Sequence, residues 1–432
     1  MEFAARGALR GSLALPGDKS ISHRALMLSA LAVGRSRIRN VSDGTDLLST
    51  AAALRAMGVQ LCVTRDGVWE VDGVGAGGLL QPELALDMGN SGTSARLLMG
   101  LVSTHAIFAT FIGDESLRRR PMDRVIQPLC RTGAKISARG GGRLPLSVTG
   151  MCPAAPLVHR LTIASAQVKS ALLLSALNVP GVTRIIEAVP TRDHSERMLK
   201  LFGAEIETTG DGREISLRGE AELVPQDMEV AGDASSAAFL AVAALIVPGS
   251  DVLLTGVGVN PMRIGLFNLL REMGGDIAFS NQREMSGEPV ADIRVRHSAL
   301  RAADVPADLV PAMIDEFPIF FVAAAFAEGL SRARGLAELR VKESDRITAM
   351  AAGLRGLGVR VTESVDGLSI QGSGGDPLPG GARIASALDH RIAMSFAVAG
   401  LHCRQPLTID DMSPIATSFP GFTAALDLLS AA

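Results

Sequence analysis

Five times along the chain an apolar helical period runs into a glycine and then into a short strand-like segment. The stretches are AALRAMGVQL at Gly58, PLCRTGAKI at Gly133, MLKLFGAEI at Gly203, LLREMGGDI at Gly274 and GLRGLGVRV at Gly358. Glycine there suits the left-handed residue that ends a helix before the chain turns back as a strand. Successive glycines lie 75, 70, 71 and 84 residues apart, too far for a solenoid, whose repeats run about 20–50 residues. The spacing predicts repeated α+β subdomains, each with two helices and a small sheet. A sixth repeat would end near the C-terminus, where FTAALDLLSAA supplies a helix but no closing strand. The N-terminal segment ALRGSLALPG (8–17) is the expected filler of that vacancy. Residues 1–15 would then join 233–432 in one domain, with 16–232 forming a second, inserted domain.

Composition narrows the class. A chain of 432 residues exceeds one ordinary core, in keeping with two domains. A net charge of −3 offers no bulk attraction to nucleic acid or to a membrane surface. With no tyrosine and one tryptophan, base-stacking platforms are not expected. The four cysteines (Cys62, Cys130, Cys152, Cys403) form no CxxC pair, which argues against a zinc or disulfide framework and fits a reducing compartment. No signal-peptide core opens the chain. The longest apolar runs, Ala237–Val247 and Phe317–Ala327, fall short of the roughly 20 residues of a membrane span. A cytoplasmic protein is expected.

The candidate chemistry gathers where helices begin. GDKSISHR (17–24) places Lys19, Ser20 and Arg24 at the hand-over from a strand to an apolar helix. The unpaired N–H groups and positive dipole end there suit an anion. GNSGTSARLLMG (89–100) repeats the logic with Gly92 in a small-residue loop. The phosphate loop G-x-x-x-x-G-K-[ST] is not matched, because Asp18 separates Gly17 from Lys19. ESLRRRPMDR (115–124) concentrates cations, and Pro121 could aim Arg120, whose fork matches a carboxylate or phosphate. ASAQVKS (164–170) offers Ser165, Gln167 and Lys169 as a helix cap or a ligand grip, and PTRDHSERM (190–198) offers Arg192. In MIDEFPIFFVAAAF, Asp315 and Glu316 meet an apolar helix, either as acids at a helix start or as desolvated carboxylates suited to base duty. RVKESDRI would set Lys342 and Arg346 on one helical face with Glu343 between them, and LDHRIAM adds Arg391. Many cations at helix starts with few, isolated acids suggest a multiply anionic substrate, handled by acid–base and electrostatic catalysis without a cofactor or metal.

Taken in order, PGDKSISHRALMLSAL, GNSGTSARLLMG, RRRPMDR, ASAQVKSALLLSALN, TRDHSERML, DASSAAF, MIDEFP, RVKESDR and LDHRIAMSF resemble the 5-enolpyruvylshikimate-3-phosphate synthase family, from about Gly11 to Phe422. The last stretches are similar to the bacterial subclass that includes glyphosate-tolerant forms. The resemblance implies an α/β chain of α+β repeats: a two-domain enolpyruvyl transferase fold, three βαβαββ units per domain (an inside-out α/β barrel), with the active site in the interdomain cleft. It implies a probe-ready division of labour among the residues already named. Lys19, Ser20, Arg24, Ser165, Ala166, Gln167, Arg192, Asp315 and Lys342 would bind shikimate 3-phosphate. Lys19, Gly92, Arg120, Gln167, Arg346 and Arg391 would hold phosphoenolpyruvate. Asp315 would be the base, with Glu343 or Lys19 delivering a proton to the methylene carbon. Further implications are no metal or cofactor, a monomer, and glyphosate as inhibitor. Two positions depart from the family pattern. Thr417 stands where many members carry a lysine, and Gly92 stands where tolerant members carry alanine. The sister enzyme acting on UDP-N-acetylglucosamine is disfavoured, because GDESLRRRPMDR lacks its reactive loop cysteine. A non-catalytic RNA-end-binding protein is disfavoured by the charge and the scarcity of aromatics.

Overall fold

The computed structural model describes residues 1–431. The chain forms two compact units. The first comprises Lys19–Val230 with Met285–Glu288; the second comprises Met1–Asp18, Ala231–Glu284 and the chain from Pro289 onward. The boundaries therefore lie at 18/19 and 230/231, a few residues from the expected 15/16 and 232/233. The reason is a set of backbone bonds within the second unit. Asp18 N–H donates to Ala231 O (2.7 Å), Asp233 N–H to Pro16 O (3.0 Å) and Gly232 N–H to Gly256 O (2.8 Å). The turn 285–288 groups with the first unit through a His194 Nδ1–Glu288 Oε1 contact of 2.6 Å and an Arg197 bond to Gly287 O.

The first unit holds three four-stranded sheets of one design. In each, a short strand runs parallel to a longer one, and two antiparallel strands follow in space. The first sheet is Asp227–Glu229, Val33–Arg39, Trp69–Val74 and Gln60–Val63. The second is Leu86–Asp87, Phe108–Ile112, Arg143–Thr149 and Lys135–Arg139. The third is Val158–Leu161, Val182–Glu187, Glu214–Arg218 and Ile206–Thr208. The second unit repeats the design, and here one strand assignment is corrected. Residues Arg10–Ala14 do not close the last repeat; they pair in parallel with Asp251–Thr255 in that unit's first sheet. The vacancy is filled by Glu2–Phe3, antiparallel to Leu407–Thr408, and the buried Phe3 side chain gives two residues enough apolar anchoring to hold an edge. So short a segment carries no readable alternation. The five repeat glycines all have positive φ, from +84° to +107°, and each N–H returns to the carbonyl three residues back.

Each unit buries three helices. In the first they are α1 (Lys19–Leu31), α2 (Gly92–Ser103) and α3 (Ala166–Ala176); in the second, α4 (Ala234–Ile246), α5 (Phe317–Phe326) and α6 (His390–Gly400). Helices that are apolar or small on every side belong in an interior, and α4, α5 and α6 are buried at every residue. The sheets lie outside them, with alternating burial: Leu144, Leu146 and Val148 point in from Arg143–Thr149. Gly100 explains the closeness of α2 and α3. A Cβ there would sit 2.2 Å from Ala171 O, so only glycine lets the two backbones touch. That contact holds the starts of both helices, and their loops, in fixed register. Among the described residues no helix is long and apolar enough to cross a membrane.

Candidate active site

In the first unit the candidate residues collect at the starts of α1, α2 and α3. Lys19 opens α1, and its Nζ lies 3.1 Å from Asp46 Oδ2. Arg24, one turn on, is buried and donates to Ser20 O (2.7 Å), Ser170 Oγ (2.6 Å) and Ser195 Oγ (2.8 Å). Ser165 caps α3, with its Oγ accepting from Val168 N–H. The cap uses the Ser165 hydroxyl only as an acceptor, and Ala166 is the first residue of α3. Gln167 is clamped, accepting from Arg96 Nη1 (3.1 Å) and donating to Thr93 Oγ1 (3.0 Å). Gly92 starts α2 behind its cap Ser91. A Cβ on Gly92 would lie 2.6 Å from Arg96 Nη1 and 3.1 Å from Arg120 Nη1, so this glycine backbone is walled by two guanidiniums. Arg120 is buried after its short helix and donates to Asn90 Oδ1 (2.6 Å) and Ser116 Oγ (3.0 Å). Arg192 is half-buried in the loop before the helix His194–Leu201. Lys169 is no surface grip: it is buried between Glu187 and Glu196.

In the second unit the candidates meet at the starts of α5 and α6. Asp315 does not face the apolar setting expected for it. Lys342 Nζ donates to its Oδ1 at 3.1 Å, and Arg346 Nη1 lies 3.7 Å from the same oxygen. Nor do Lys342 and Arg346 share a helical face. Lys342 ends a 3₁₀ turn, Ala337–Val341, and Arg346 begins the next helix behind its cap Asp345. They converge because the bend 342–344 folds one toward the other. Arg346 is almost wholly buried, donating through Nε to Asp389 Oδ2 (2.8 Å) and through Nη2 to Glu343 Oε2 (2.5 Å). Burial opposes its charge, but Asp389, Glu343 and Asp315 outweigh that and raise its pKa. Its Nη1 makes no hydrogen bond, so two of the five N–H donors of the fork are uncommitted beside Asp315. Arg391 donates to Asp315 O (2.7 Å) and Glu316 Oε1 (3.3 Å), which also accepts from Ser235 Oγ. Behind them Arg263 binds Asp18 and Asp233. Burial, and then the Asp18 carboxylate, push the Asp233 carboxyl up to about 6.

Sequence reading missed Asp46, Arg96, Arg263 and Asp389. Asp389 carried a signal, an acid capping the apolar helix α6. Arg96 follows Gly92 by one helical turn, while Asp46 and Arg263 carried no local signal. Thr417, where a lysine was looked for, donates to Pro414 O and lies 3.3 Å from His390 Nδ1.

Both clusters have the same chemical character: helix N-termini, buried arginines with part of their donor sets committed to the protein, and carboxylates paired with the cations. This suits ligands with phosphate and carboxylate groups. A family model described as EPSP synthase (3-phosphoshikimate 1-carboxyvinyltransferase) matches residues 3–426. A 3-phosphoshikimate 1-carboxyvinyltransferase of Sphingopyxis alaskensis is 61% identical over 98% of this chain and 97% of its own length. One from Zymomonas mobilis is 60% identical over 96% and 92%. Among solved structures, EPSP synthase from Acinetobacter baumannii superposes with a TM-score of 0.87 at 45% identity, covering 99% of this chain and 97% of that one. The enolpyruvyl transferase NikO from Streptomyces tendae, at 20% identity and TM-score 0.81 over 99% and 96%, shares the fold. The chain therefore belongs to the EPSP synthase family, the 3-phosphoshikimate 1-carboxyvinyltransferases, which move the enolpyruvyl group of phosphoenolpyruvate onto shikimate 3-phosphate.

Proposed function

We propose that the two clusters divide the transfer between them, through addition followed by elimination. Lys19, Ser20, Arg24, Ser165, Ala166, Gln167 and Arg192 bind shikimate 3-phosphate, joined by Asp315 and Lys342. Lys19, Gly92, Gln167, Arg120, Arg346 and Arg391 hold the phosphate and carboxylate of phosphoenolpyruvate. Asp315 takes the proton of the 5-hydroxyl as its oxygen attacks the enol carbon, and Glu343 or Lys19 delivers a proton to the methylene. In the elimination a proton leaves the new methyl group and inorganic phosphate departs, which restores the double bond. The observation that carries this reading is the Asp315 carboxylate, an anion between Lys342 at 3.1 Å and Arg346 at 3.7 Å, with Arg346 Nη1 unspent by any hydrogen bond. An anionic carboxylate accepts a proton, and nearby cations stabilise charge developing beside it.

Glyphosate, with its own phosphonate and carboxylate, competes with phosphoenolpyruvate on this reading. The protein acts as a cytoplasmic monomer. The exposed Cys62, Cys130 and Cys152, all free thiols, suit a reducing compartment. Phosphorus NMR of the protein with both substrates tests the reaction. Inorganic phosphate should appear together with a new enolpyruvyl ether, and neither should appear when UDP-N-acetylglucosamine replaces shikimate 3-phosphate. Intact substrates beside well-folded protein would overturn the reading.

A further inference from the structure

Lys169 is the most deeply buried cation of the first unit, and its ammonium is not among the groups proposed to hold ligand. Its relative exposure is 1%. An ammonium has three N–H donors, and here all three are placed. Nζ lies 2.8 Å from Glu187 Oε2, 2.7 Å from Glu196 Oε1 and 3.0 Å from Thr191 O. Thr191 is held at its other polar groups as well. Its N–H donates to Glu187 Oε2 (3.3 Å) and its hydroxyl to Glu187 Oε1 (2.5 Å). Backbone amide, carbonyl and side chain of one loop residue are thus tied to a single buried ion cluster, and the next residue is Arg192.

The same two helices tie Arg24. Ser170, beside Lys169 on α3, and Ser195, beside Glu196 on the helix His194–Leu201, both accept from its guanidinium and bond to each other at 2.7 Å. A loop with only surface bonds would not need a buried ammonium and two carboxylates. Burial raises the Glu196 carboxyl, against the pull of Lys169, so the cluster is costly to build and is stable only as a set.

We propose that Lys169 is a positioning residue, fixing the Thr191 peptide and so aiming Arg192 at the shikimate 3-phosphate side of the reaction. This rests on the reading of Arg192 given above. The arrangement acts on binding more than on chemistry, because Arg192 is remote in role from the atoms that react.

The test is a double-mutant cycle of Lys169→Met and Arg192→Ala, read as KM for each substrate and kcat. Lys169→Met should raise KM for shikimate 3-phosphate roughly tenfold, with kcat and KM for phosphoenolpyruvate within about twofold. The double variant should match Arg192→Ala alone, since a misaimed arginine and a missing one lose the same contact. Full additivity, or a Lys169→Met loss confined to kcat, would overturn the proposal. An Arg192→Ala variant with unchanged KM would instead overturn the reading of Arg192. Because Lys169→Met leaves two buried carboxylates without their cation and could unfold the unit, Thr191→Val is measured in parallel. It removes one tie and no charge, and should raise the same KM by a smaller factor that also vanishes in the Arg192→Ala background. An effect persisting in that background counts against the proposal.

Discussion

The α-carbon of Gly92 faces the Arg96 guanidinium so closely that a methyl group there would lie 2.6 Å from Nη1. Arg120 Nη1 stands 3.1 Å from the same point. Gly92→Ala must therefore displace Arg96, which also holds Gln167, and press on Arg120. Steady-state kinetics should show a several-fold higher KM for phosphoenolpyruvate and a larger rise in the glyphosate inhibition constant. A variant as sensitive to glyphosate as the parent would contradict that pocket assignment.

Arg346 commits Nε to Asp389 and Nη2 to Glu343, while Nη1 makes no hydrogen bond. Arg346→Lys keeps the charge but gathers its donors on one nitrogen, which cannot span the separate positions that Nε, Nη1 and Nη2 occupy. Losing one charge-assisted bond to ligand, about 1.5–3 kcal/mol, should lower kcat/KM for phosphoenolpyruvate some 10- to 100-fold. Stability should fall too, because Asp389 is fully buried and loses part of its fork. Unchanged kinetics would remove Arg346 from the substrate site.

Gly100→Ala tests the packing that aligns α2 with α3. Its methyl group would stand 2.2 Å from Ala171 O, a backbone atom that cannot swing away. Overpacking of this kind costs about 1–3 kcal/mol, and chemical denaturation should show it, with activity falling because the Gly92 and Gln167 ends of the helices shift.

The repeat, the paired domains and the helix starts were legible in the sequence because each has a local cause. A glycine in the left-handed region ends a helix, and a polar residue ahead of an apolar run begins one. What stayed hidden depends on contacts between distant segments. Glu2–Phe3 closes the last repeat only by meeting Leu407–Thr408, and two residues cannot announce a strand. Lys342 and Arg346 seemed to be a helical i, i+4 pair, yet the helix begins at Arg346, and both reach Asp315 from another segment. Arg96 and Asp46 show no sign of their partners until the fold places them.

The Asp233 carboxyl is held up at about 6 by burial and by Asp18, although Arg263 pulls it down. A carboxyl raised in the folded state favours folding while protonated. Its contribution is complete below the ordinary value of 3.8 and is lost as pH rises through about 6. Thermal melts between pH 4 and 7 should show the parent losing stability relative to Asp233→Asn as pH rises, by roughly 1–3 kcal/mol. Parallel curves would mean that Asp233 titrates normally.

The most direct test of the account is Asp315→Asn, measured by phosphate release and by calorimetric binding of shikimate 3-phosphate. Asn keeps the shape and one acceptor near Lys342 but cannot take the hydroxyl proton. Turnover should fall about 10²- to 10⁴-fold, with binding changed by less than about tenfold. Near-normal turnover would show that another group removes the proton, and Asp315 would lose its place at the centre of the mechanism.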